Sequence, residues 1–133
     1  MTTYVDSSAL LKRYVDEADS AEANAYLRSD PALATARVTV VEIRRNLARL
    51  LSDRPLATAR QAFTADLAAF SVVELDATTC EAAATISEVT GVRTLDALHL
   101  AAAQRLGDSS TFLTFDLRQA QAARALGFTV VGS

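Results

Sequence analysis

A 133-residue chain that is half apolar and rich in alanine can bury a core as one domain and is too apolar to remain disordered. Its single cysteine, Cys80, excludes an internal disulfide, and with one histidine in the chain a His/Cys zinc cage is excluded as well. A net charge of −3 argues at first against a nucleic-acid partner.

The charge is unevenly distributed. From Arg37 to Arg60 the chain carries six arginines (Arg37, Arg44, Arg45, Arg49, Arg54, Arg60) against Glu42 and Asp53. Such a segment is either a solvated helix face or a seat for a phosphate backbone. No basic leader followed by a long apolar run opens the sequence. No stretch approaches the ~20 apolar residues of a membrane span. The chain therefore reads as a soluble, cytoplasmic protein of one domain, residues 1–133, with no membrane association.

In chain order, residues 2–5 are β-prone and lead into Asp6-Ser7-Ser8, short polar residues that suit a strand end and a helix cap. A short helix follows from Ala9 to Val15, with Leu10, Leu11 and Tyr14 on its apolar side. A second runs from Ser20 to Arg28, and Ala32 to Ala36 forms a brief strand. Thr39 and Glu42 have the spacing of a capping box, opening a helix to about Leu51 whose Val40, Ile43, Leu47 and Leu50 face the core. Glu42, Arg45, Asn46 and Arg49 share an adjoining face. Past Pro55 another helix carries Leu56, Ala59, Phe63, Leu67 and Phe70 along one side. Ser71 to Leu75 is a strand, Asp76 caps a helix that packs Cys80 and stops at Gly91, and one more helix follows Arg93. Thr111 to Phe115 is a strand, Asp116 starts a helix to Leu126, and Phe128 to Val131 closes the chain. Five short strands alternating with helices indicate an α/β fold with a five-stranded, mainly parallel sheet flanked by helices.

In such sheets ligands gather beyond the carboxyl ends of strands, where the strand order reverses. Asp6 and Asp116 fall at strand ends, and Glu42 and Asp96 in first helical turns. Each acid has a structural alternative as a cap or a partner of the helix dipole, worth about 0.3–1 kcal/mol. Together they form a set of hard oxygen donors, which suits Mg²⁺ or Mn²⁺ and the polarisation of a phosphoryl oxygen. Neither a glycine-rich phosphate loop nor a G-x-S-x-G elbow offers another chemistry. His99 is read as a buried or hydrogen-bonded structural residue of a core helix. Arg93 either contacts phosphate or neutralises the acids.

The segments YVDSSALLKRY, VTVVEIRRNLARL, RTLDALHLAAA and FLTFDLRQAQAARALGF resemble a PIN domain, specifically the VapC-like toxin ribonuclease of a bacterial toxin–antitoxin pair. The resemblance implies that Asp6, Glu42, Asp96 and Asp116 form the catalytic quartet. Asp6, Asp96 and Asp116 would hold Mg²⁺ or Mn²⁺, and Glu42 would complete the shell or orient the attacking water. Thr114 and Ser7 match supporting hydroxyl positions. The resemblance further implies hydrolysis of RNA to 5′-phosphate and 3′-hydroxyl ends, a homodimer, and a small antitoxin laid over the acids. Arg93, Arg45 and Arg49 are the candidate RNA contacts. The alternatives are a PIN nuclease of RNA processing and an inactive antitoxin-binding module. A receiver domain is disfavoured because the sole lysine is Lys12.

Overall fold

A computed structural model describes residues 2–107 and 109–133. Strand β1 (Thr3–Val5) is followed by helices α1 (Ser7–Leu11) and α2 (Ser20–Ser29) and by β2 (Leu33–Ala36). Helices α3 (Arg37–Leu50) and α4 (Asp53–Leu67) lead to β3 (Ser71–Val73). Helices α5 (Ala77–Thr90) and α6 (Thr94–Gln104) precede β4 (Thr111–Leu113), and α7 (Leu117–Ala125) precedes β5 (Thr129–Val131). The strands form one sheet in the order β3-β2-β1-β4-β5, and every pairing is parallel. Successive strands step outward from β1 to one edge, after which the chain crosses back to lay β4 on the other side of β1. The order therefore reverses between β1 and β4, and a crevice opens beyond their carboxyl ends.

Alternation along the two central strands divides the core. Tyr4 and Phe112 face one side, where they pack with Ala97, Leu100 and Ala101 of α6 and with Ala123 of α7. Val5 and Leu113, one residue on, face the other, against Leu10 of α1, Ile43 and Leu47 of α3 and Phe63 of α4. Alanines at 97 and 101–103, all buried, let α6 approach the sheet and α5 closely. Asp76 caps α5 by accepting from the Thr79 N–H at 2.9 Å, and Arg105 past the end of α6 pairs with it at 2.6 Å. Gly91 ends α5 in the left-handed region (φ 74°), donating its N–H to Ser87 O, and turns the chain into α6. None of the described helices is long and apolar enough to cross a membrane.

Four sequence expectations need correction. Helix α1 stops at Leu11, four residues short of Val15, and continues only as turns. The Thr39–Glu42 capping box does not form: β2 runs directly into α3, so the helix begins at Arg37 with Ala36 as its cap. Thr39 lies inside that helix, fully buried, and its hydroxyl is 2.7 Å from that of Thr35. Leu50 is 43 % exposed at the end of α3, while Val38 takes a core position instead. Cys80 is exposed rather than packed.

Candidate active site

Asp6 is the first residue past β1 and caps α1, its Oδ1 accepting from the Ala9 N–H at 3.0 Å and from Ser8 Oγ at 2.7 Å. Just past β4, Thr114 donates to Asp6 Oδ2 at 2.5 Å and accepts the Asp116 N–H at 3.1 Å. Ser8 Oγ also accepts the Phe115 N–H at 3.2 Å. The carboxyl ends of β1 and β4 are thus laced together by two hydroxyls, with Asp6 only 4 % exposed between them. Burial pushes the Asp6 carboxyl above its ordinary value, against the pull of His99 and of the donors on Thr114, Ser8 and Ala9. Ser8, not Ser7, is the serine that does this. Because α1 starts at Ser7, the second helical residue turns back onto the cap, and Ser7 takes no part in these bonds.

Asp116 caps α7, accepting from the N–H groups of Arg118 and Gln119 at 2.9 and 3.2 Å, and remains exposed. Asp96 occupies the first turn of α6. Its carboxyl is raised above the ordinary value, chiefly by partial burial and then by repulsion from Asp116, Asp6 and Glu42, with His99 opposing. Asp96 therefore feels the other three acids across the crevice. Gln119, which the sequence did not single out, is buried and donates from Nε2 to Asp96 O at 3.2 Å, tying α7 to α6. Glu42, on α3, lies 2.6 Å from His99 Nε2, and His99 Nδ1 lies 2.6 Å from the Tyr4 hydroxyl.

A cleft of about 1080 Å³ runs from this crevice between α5, α6 and α7, lined by Val89, Arg93, Asp96, Asp116, Leu117 and Arg118. Arg93 thus stands beside two of the acids. Arg45 and Arg49 are exposed on α3 outside this cleft, and Arg49 donates to Asn46 Oδ1 at 3.3 Å. Among the described residues no three acidic, His or Cys side chains close into a ready-made metal cage. The acids face one sheet edge, but Asp6 is engaged by hydroxyls and Glu42 by His99.

The model of the PIN domain family matches residues 3–125. The chain is 36 % identical over 129 residues to ribonuclease VapC46 of Mycobacterium tuberculosis, covering 96 % of this chain and 95 % of that protein. FitAcB from Neisseria gonorrhoeae superposes with a TM-score of 0.77 at 20 % identity, over 96 % of this chain and 95 % of that one. A toxin–antitoxin complex from Klebsiella pneumoniae does so with a TM-score of 0.69 at 17 % identity, over 86 % of each chain. Strand order, the laced ends of β1 and β4 and near-full-length likeness to a VapC ribonuclease together place this chain in the PIN domain family.

Proposed function

We propose that the chain is a toxin-type endoribonuclease that hydrolyses RNA phosphodiester bonds at the acidic crevice, with Mg²⁺ or Mn²⁺ held by Asp6, Asp96 and Asp116. The observation that carries this reading is the convergence of the acids on one crevice: Asp96 and Asp116 line the mouth of the cleft, and the Asp96 carboxyl is raised by partial burial and then by Asp116, Asp6 and Glu42. Hard oxygen donors under mutual repulsion fit a hard divalent cation. Bound there, the ion supplies polarisation of the phosphoryl oxygen and acidification of water.

The protein's own contribution is positional. Thr114 and Ser8 fix both oxygens of Asp6, so this acid is pre-set before anything binds. Gln119 fixes the main chain of Asp96 and, through its N–H, the side chain of Asp116. Glu42 completes the ion's shell or orients water. Arg93 is placed to take the phosphate of a strand lying in the cleft, and Arg45 and Arg49 extend a basic surface along α3.

Likeness to VapC46 supports RNA as substrate, and the fold shared with a toxin–antitoxin complex supports an antitoxin that neutralises the enzyme. A homodimer in the cytoplasm completes the proposal. Protein freed of any antitoxin should cut RNA with Mg²⁺ or Mn²⁺, leaving 5′-phosphate and 3′-hydroxyl ends, and should be silent in EDTA. Cleavage unaffected by EDTA would contradict the assignment. An inert, metal-loaded protein would favour an antitoxin-binding module.

A further inference from the structure

The buried line from Tyr4 through His99 to Glu42 is not explained by packing alone. His99 is 2 % exposed and Tyr4 fully buried, so the polar atoms of both rings need partners inside the protein. Both imidazole nitrogens bond to side chains far away in sequence. Nδ1 meets the hydroxyl of Tyr4 from β1, and Nε2 meets Oε1 of Glu42 from α3, each at 2.6 Å. Tyr4 is itself wedged, stacked on Phe112 at 5.2 Å and edge-on to His99 at 5.9 Å. The line starts in the rigid centre of the sheet and ends on an acid of the crevice.

We propose that His99 is a positioning residue for the reaction: the Tyr4 hydroxyl holds Nδ1, and the Nε2–H holds one oxygen of Glu42, so that the core of the sheet aims this carboxylate. The proposal rests on the ribonuclease reading above. Burial keeps the proton on the Tyr4 phenol, which therefore donates to Nδ1. A neutral ring then carries its proton on Nε2, and a charged ring donates from Nε2 as well, so Glu42 accepts in either state. The same logic applies where hydrogen-bonded partners behind a metal or catalytic group fix its orientation.

His99 is the sole histidine, so its ring ¹⁵N signals in tag-free, metal-free protein need no assignment. A protonated Nε2 whose signal moves in Glu42→Gln is expected. A bare Nε2 with the proton on Nδ1, or a signal indifferent to Glu42→Gln, overturns the proposal. In the cleavage assay His99→Leu should lose kcat about 10–100-fold, the range for such supporting partners, with KM for RNA little changed. His99→Gln keeps an amide donor for Glu42 and should recover much of that loss. Full activity in His99→Leu, or equal loss in both variants at equal thermal stability, overturns the positioning role. If His99→Leu does not fold, Tyr4→Phe decides: a partial fall in kcat supports the proposal and an unchanged kcat overturns it. A wild-type protein that cuts no RNA instead overturns the ribonuclease reading, and the ¹⁵N spectrum still tests the two bonds.

Discussion

Thr114 is the side chain on which Asp6 depends most, because it donates from a fully buried position to the oxygen that Ser8 and Ala9 do not reach. Thr114→Val keeps the shape and removes that donor. It should destabilise the fold by about 1–3 kcal/mol and reduce cleavage, while Thr114→Ser should retain most of both. Denaturant melts and cleavage rates of the two variants check this, and a fully active, fully stable Thr114→Val would contradict it. Asp96 makes the opposite kind of contribution. Its folded-state pKa is raised above 3.8, so the stability tied to its protonated form is present below the unfolded value and lost as pH rises through the folded one. In metal-free buffer at pH 7 Asp96→Asn should therefore melt higher than wild type, and the gain should shrink as pH falls toward 3.8. A variant that melts lower at pH 7 would contradict the cost of burying this carboxylate among other acids. At this scale the sequence misplaces Glu42, which lies beyond the first turn of α3, but it marks the positions of Asp6 and Asp116 well, since strand ends and caps are local signals. It does not mark Ser8 over Ser7, which turns on where α1 begins, nor Gln119 and the bond between Glu42 and His99, 57 residues apart.

Among the elements, the end of β5 supports the site more closely than its distance in sequence implies. Gly132 has φ 96°, and a Cβ there would meet Thr114 O at 2.4 Å. Ser133 then donates from Oγ to the same carbonyl at 3.0 Å, and Arg124 of α7 donates to Ser133 O. Gly91 also has a positive φ, but a side chain there meets nothing within 4 Å. Gly91→Ala should cost about 1–2 kcal/mol, the strain of a left-handed L-residue, with cleavage intact. Gly132→Ala should cost more and impair cleavage, because β5 and Thr114 must part. Equal melting temperatures and equal rates for the two would contradict this link. Helix and strand existence was legible from periodicity and turn residues, with boundaries shifted by a few residues. The false capping box at Thr39 shows the limit of local patterns. A strand running straight into a helix leaves no loop, and the Thr-x-x-Glu spacing then falls inside the helix, where the Thr35 hydroxyl of β2 pairs with that of Thr39.

For the whole molecule, the parallel sheet accounts for both the site and its electrostatics. Reversal of strand order between β1 and β4 gathers Asp6, Thr114 and Asp116, and the helices crossing above bring Glu42 and Asp96. Much of the net charge of −3 then belongs to the crevice, since 16 acids less these four face 13 bases, and the surface beyond it is free to meet a polyanion. Arg45, exposed on α3, is the test of that surface. Arg45→Ala should weaken RNA binding and lower the slope of log affinity against log salt by about one. An unchanged slope would return the arginine segment to a solvated helix face.

The most direct measurement of the central claim is Mn²⁺ binding to purified, antitoxin-free protein, followed by RNA cleavage, for wild type and Asp96→Asn in parallel. Wild type should bind Mn²⁺ and cut RNA, and EDTA should abolish cleavage; the folded variant should bind the ion more weakly and not cut. Full binding and full cleavage by Asp96→Asn would contradict the assignment of this crevice as the active site.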